Sequence, residues 1–129
     1  MPKIAIILGL ALLAPVAALA QAGAACVPDS PAPEHVNACA VQRFQTIDSE
    51  HNILYGDVMR ALSAEERPLL RKEQSAWIRQ RNSTCKARHA ADEERADWPR
   101  RLHDCLSELT QARRQDLMHW LHHGAPAQR

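Results

Sequence analysis

The chain has 129 residues, a formal net charge of +1 from sixteen Lys and Arg against fifteen Asp and Glu, and four Cys. This length suits one domain with a modest core and excludes two. The charge balance excludes a strongly basic nucleic-acid binder, which gathers positive charge on one face to displace counterions, and it equally denies a membrane-seeking polybasic face.

Residues 1–20 read as a cleavable secretory leader. Lys3 supplies the positive start, residues 4–14 form an uncharged apolar run, Pro15 breaks it, and Ala18-Leu19-Ala20 gives the small-x-small pattern that places cleavage before Gln21. The run is too short for a membrane anchor, and no other stretch is apolar enough to span a bilayer. A rival reading makes residues 23–26 a lipobox with Cys26 acylated, although Gly23 sits where a branched apolar residue is usual. Export leaves about 109 residues with fifteen basic and fifteen acidic side chains, since Lys3 is the only charge removed. The expected location is the periplasm or the exterior. There, four cysteines in a small domain imply disulfides rather than catalytic thiols, and the absence of a C-x2-C pair argues against zinc.

Residues 21–33 form an irregular arm, because Pro28, Pro31 and Pro33 exclude a helix and a central strand. From residue 34 the apolar period turns helical, with Val41, Phe44, Asp48, Asn52, Tyr55, Met59 and Leu62 on one stripe. Ser63 with Glu66 three residues on is a capping box that ends the first helix and starts the second, expected over 64–90 with the stripe Leu70, Gln74, Trp77, Arg81, Cys85. The third helix begins near Pro99 with the stripe Leu102, Leu106, Leu109, Arg113, Leu117, Trp120. Gly124 and Pro126 stop it, leaving 124–129 as a tail. No segment alternates with period two. The expected fold is all-α, a small antiparallel three-helix bundle over 34–123 stapled by two disulfides. Three pairings are formally possible. The topology gathers all four cysteines at one end and favours Cys26 with Cys39 and Cys85 with Cys105.

The inward stripes carry a polar set: Asp48, Asn52, Gln74, Arg81, Thr110 and Arg113, beside Trp77. A charge buried alone is costly, so Asp48 ought to meet Arg81 or Arg113. The set reads first as a hydrogen-bonded core network that fixes register, and second as a binding or catalytic site. No nucleophile elbow, phosphate loop or zinc helix is present, so no enzyme and no cofactor are expected. His119, His122 and His123 are expected to favour the helix dipole rather than to hold a metal.

The run Asn37-Ala38-Cys39, then Phe44, Asp48, Asn52, Tyr55, Met59, then Gln74, Trp77, Arg81, Cys85, and later Cys105, Thr110 and Arg113, resembles the bacterial family of lysozyme-inhibitor LprI-like domains over nearly the whole exported part. Three departures stand out. His51 replaces the usual Leu before the asparagine, Asn82 replaces Asp after the arginine, and the last connection is charged rather than Gly- and Ser-containing. The resemblance implies an envelope protein that binds a lysozyme-type muramidase, with an adaptor domain for another protein partner as the alternative. Oligomeric state is not legible. Lysozymes are commonly cationic around a carboxylate-bearing cleft, so an inhibitor is expected to offer acidic groups to the rim. Asp92, Glu93, Glu94 and Asp97 form the densest negative cluster, with Trp98 beside it, in a connection that a Cys85–Cys105 bridge would preorganise. The plainer reading is a solvated connection with Trp98 packed on the bundle end.

Overall fold

The computed structural model describes residues 23–128. The expected leader and its cleavage before Gln21 lie outside the described residues. Three helices make the fold, Pro33–Ala61 (α1), Glu66–Arg88 (α2) and Trp98–His123 (α3), with a 3-10 turn at Ala90–Asp92 and no strand among the described residues. Two disulfides join Cys26 to Cys39 and Cys85 to Cys105. The sulfur of Cys26 is therefore committed to a bridge, which argues against the lipobox reading.

Each boundary has a local cause. Pro33 stands in the first turn of α1, where its missing N–H is no loss. At the α1–α2 turn the capping box closes in both directions: the Ser63 N–H donates to Glu66 Oε2 at 2.8 Å and the Glu66 N–H to Ser63 Oγ at 3.2 Å. Arg67 Nε donates to the Met59 carbonyl at 2.9 Å, serving an orphan acceptor at the end of α1. Gly124 ends α3 in the left-handed region at φ 61°, donating to the Trp120 carbonyl. A Cβ there would also overlap the Glu66 carboxylate, so the stop of α3 and the cap of α2 occupy one place.

α3 packs on both other helices, far more extensively on α1, while the backbones of α1 and α2 barely approach. The core falls into two apolar clusters. At the turn end Val58, Leu62, Leu70, Leu117 and Trp120 pack with Leu54, Tyr55 and Met59. At the other end the buried Cys85–Cys105 bridge and Leu106 pack with Phe44, Leu102 and Leu109. The buried line of α1 differs from the expected stripe: Ala40, His51 and Val58 are buried where Val41, Asn52 and Met59 were expected. The observed steps through Phe44, Asp48, His51, Tyr55, Val58 and Leu62 alternate four and three, a 3.5-residue period that tracks a partner helix. The expected stripe has the same average and shares Phe44, Asp48, Tyr55 and Leu62, but takes its threes and fours in the other order after Asp48 and after Tyr55.

The two bridges do different work. Cys85 and Cys105 are buried within the lower cluster, whereas Cys26–Cys39 fastens a half-exposed arm. Each closes a loop, of separations 20 and 13, worth about 3 kcal/mol on chain entropy. Replacing Cys85 and Cys105 by Ala is expected to lower the melting temperature by about 15 °C or more, because packing is lost as well. Replacing Cys26 and Cys39 by Ser is expected to cost less, and equal losses in calorimetry would contradict this division.

Candidate functional site

Because α1 and α2 stand apart, long polar side chains fill the layer between the apolar clusters. Arg81 and Arg113 are buried there, at 8% and 4% exposure. Arg81 Nη1 donates to Asp48 at 2.8 Å and to Thr110 Oγ1 at 3.0 Å, and its Nε to Asn82 Oδ1 at 3.2 Å. Asn82 thus supplies an acceptor oxygen to the Arg81 guanidinium. Arg113 Nη1 lies 2.7 Å from Glu73 and 3.3 Å from Asp116, and its Nε donates to Gln74 Oε1 at 3.3 Å. Both guanidiniums lie over the Trp77 ring, at 5.0 and 5.5 Å, and the His51 ring packs 4.9 Å from it. Buried ions are tolerable here because each meets a carboxylate and further hydrogen bonds.

Of the residues expected in this layer, Asp48, Gln74, Trp77, Arg81, Thr110 and Arg113 come together. Asn52 does not: it is exposed and only reaches Asp48 within its own helix, at 3.5 Å. His51 takes the inward place. Gln74 has given its oxygen to Arg113, so its amide nitrogen faces His51 Nε2 at 2.7 Å and must donate. The imidazole accepts there and carries its proton on Nδ1, which is buried with no partner among the described residues. Protonation would set two donors against each other in a buried place. Burial above all, with Arg113 and Arg81 adding to it and Asp48 opposing, pushes the His51 pKa down to about 4.

The second candidate is the α2–α3 connection. Three successive backbone bonds, Asp92 N–H to the His89 carbonyl, Arg95 to Asp92 and Trp98 to Arg95, at 2.9 to 3.0 Å, make it a staircase of turns rather than a slack loop. The predicted acidic cluster divides in two. Asp97 receives Arg95, Arg100 and Arg101 at 2.9 to 3.0 Å, and Asp92 sits near His89, Arg95 and Arg101 at 3.5 to 3.9 Å. Hydrogen bonding from Arg95 first, then from Arg101 and Arg100, holds the Asp97 carboxyl well below the usual carboxylate range, against some desolvation. Glu93 and Glu94 are exposed and form no ion pair among the described residues. Trp98 is half-buried with its indole N–H fully buried and unpartnered among the described residues, so it is not an aromatic offered to solvent.

Sequence reasoning missed what fastens this connection. The Asp97 side chain makes no cap for α3; Asn37, sixty residues away on α1, does the capping. Its Oδ1 accepts the Arg100 N–H at 3.1 Å while its Nδ2 donates to the Ala96 carbonyl at 2.8 Å, which bolts α1 to the start of α3. The Asn-x-Cys opening was the available signal, since Asn37 and Cys39 each anchor a neighbouring segment.

Two outcomes are expected. Asn37→Ala should cost about 1–2 kcal/mol and speed amide exchange across residues 92–98, and unchanged exchange there would remove the clamp from the account. For His51 the folded pKa lies below the ordinary 6.5, so its contribution to stability is complete above pH 6.5 and is lost as pH falls toward 4. The loss is on the order of 2–3 kcal/mol. His51→Leu should remove that part of the pH dependence in urea titrations between pH 7 and 4. Parallel profiles for the two proteins would show that His51 is not the group responsible.

No group of three or more His, Cys, Asp or Glu among the described residues is arranged to hold a metal ion. Comparison with curated proteins and with solved structures returned no match. The family model described as lysozyme inhibitor LprI matches residues 26–117, a span that takes in both disulfides, the polar layer, the Asn37 clamp and the α2–α3 connection. The chain belongs to the lysozyme inhibitor LprI family.

Proposed function

We propose that this domain acts in the bacterial envelope as an inhibitor of a lysozyme-type muramidase, and that the α2–α3 connection is its docking element. The observation that carries the reading is the contrast within the connection: Asp92 and Asp97 are consumed by arginines that shape the backbone, while Glu93 and Glu94 stand exposed with no ion pair among the described residues. The staircase of turns, the Asn37 clamp and the Cys85–Cys105 bridge hold these two carboxylates, so little ordering entropy is lost on binding. Two adjacent exposed carboxylates suit the basic rim of a cationic muramidase, where they speed encounter and fix orientation. Family membership supports the same partner class. The described residues contain no helix long and apolar enough to cross a membrane.

The test is a muramidase assay with the oxidised mature domain across the several lysozyme classes. Inhibition of at least one class is expected, and Glu93→Lys with Glu94→Lys should weaken it by about tenfold or more, most strongly at low salt. Full enzyme activity in every class would end the reading. Unchanged potency of the double variant would move the docking element elsewhere.

A further inference from the structure

The balanced net charge conceals a segregated one. Between Glu66 and Arg88, α2 carries seven basic residues and only two acidic ones. Both acids are engaged: Glu66 closes the capping box, and Glu73 pairs with Arg113 and accepts the Trp120 indole N–H at 3.1 Å. Among the bases, Arg81 is buried on Asp48, Arg88 meets Glu108, and Arg67 serves the Met59 carbonyl. Arg71, Lys72, Arg79 and Lys86 remain, all exposed and none in an ion pair among the described residues.

Lys72, Arg79 and Lys86 recur every seven residues, nearly two full turns, so they form one row about 20 Å long on the side of α2 away from the core. The outward residues between them, Ser75, Asn82 and Ser83, are neutral. Leu69, at 59% exposure, stands one turn before Lys72 on the same face, whereas Ile78, at 37%, lies nine residues further on and so on the opposite edge of α2. An outward basic row with an exposed leucine beside it matches a bilayer interface, where headgroup phosphates meet the cations and the apolar group reaches the acyl boundary. A soluble polyanion would use the cations and leave Leu69 idle. The Cys26 sulfur is held by Cys39, so charge is the means of membrane contact that the described residues supply.

We propose that the outer face of α2 is a docking surface for an anionic phospholipid bilayer, contacted peripherally. This face is separate from Glu93 and Glu94, which lie in the connection beyond the C-terminal end of α2. The oxidised mature chain is tested by flotation with vesicles of equimolar phosphatidylglycerol and phosphatidylcholine, with pure phosphatidylcholine vesicles, and with soluble polyphosphate. Binding to the anionic vesicles alone is expected, and it should vanish at ~1 M salt, where the screening length is about 3 Å. Lys72→Ser, Arg79→Ser and Lys86→Ser together should lower partitioning on the order of a hundredfold, about fivefold per cation, with an unchanged thermal transition because all three are exposed. Leu69→Ser should weaken vesicle binding as well. Equal binding to neutral vesicles, unaltered partitioning of the triple variant, or polyphosphate binding with no vesicle binding would each overturn the proposal.

Discussion

Two buried guanidiniums on one indole ring hold this bundle in register. The backbones of α1 and α2 do not approach closely, and what spans the gap is Arg81 and Arg113 over Trp77, with Asp48 and His51 reaching from α1 and Thr110 from α3. Such a layer contributes less net stability than an apolar core of the same volume, but it punishes misalignment. A slip of one residue in any helix would leave a guanidinium or a carboxylate buried alone, at a cost of about 3–5 kcal/mol. The apolar clusters above and below supply most of the driving force, and the polar layer selects which of the possible alignments is kept.

That alignment sets everything at the far end of the bundle. With α1 and α3 in register, Asn37 falls opposite the first turn of α3 and can cap it, and Cys85 falls opposite Cys105. The α2–α3 connection is then fixed at both ends and from the side. Asp92 and Asp97 act inside it as counter-ions for its arginines, leaving Glu93 and Glu94 outward. Glu93 and Glu94 thus stand outward at the connection, while Lys72, Arg79 and Lys86 stand outward along α2, none of them in an ion pair among the described residues.

Most of the fold was legible because its signals are local. The capping box at Ser63 and Glu66, the prolines of the arm, the Gly124 stop and the cysteine heights each act within a few residues, and they led to three helices and the observed pairing. The inward stripe of α2 was legible for the same reason. What failed was the order of the steps, not their average. Between Asp48, Tyr55 and Leu62 a step of three comes before a step of four, which buries His51 and Val58 where Asn52 and Met59 were expected. The Asn37 cap was missed because its partner lies 63 residues away, and the Asn-x-Cys opening marks Asn37 without naming that partner. The acidic connection looked like one cluster of four charges because a sequence shows the sign of a residue and not whether Arg95, Arg100 or Arg101 folds back onto it. Net charge misled in the same way about α2, since a balanced total says nothing about which face carries the excess.

The central claim is that the connection between α2 and α3 is the face that meets a muramidase, and it is tested most directly by titrating an isotopically labelled, oxidised domain with a lysozyme while following backbone amide resonances. The account predicts that shifts and line broadening concentrate on Glu93, Glu94 and their neighbours and leave the amides around Lys72, Arg79 and Lys86 unmoved. Perturbations gathered on the outer face of α2, with the connection silent, would contradict it.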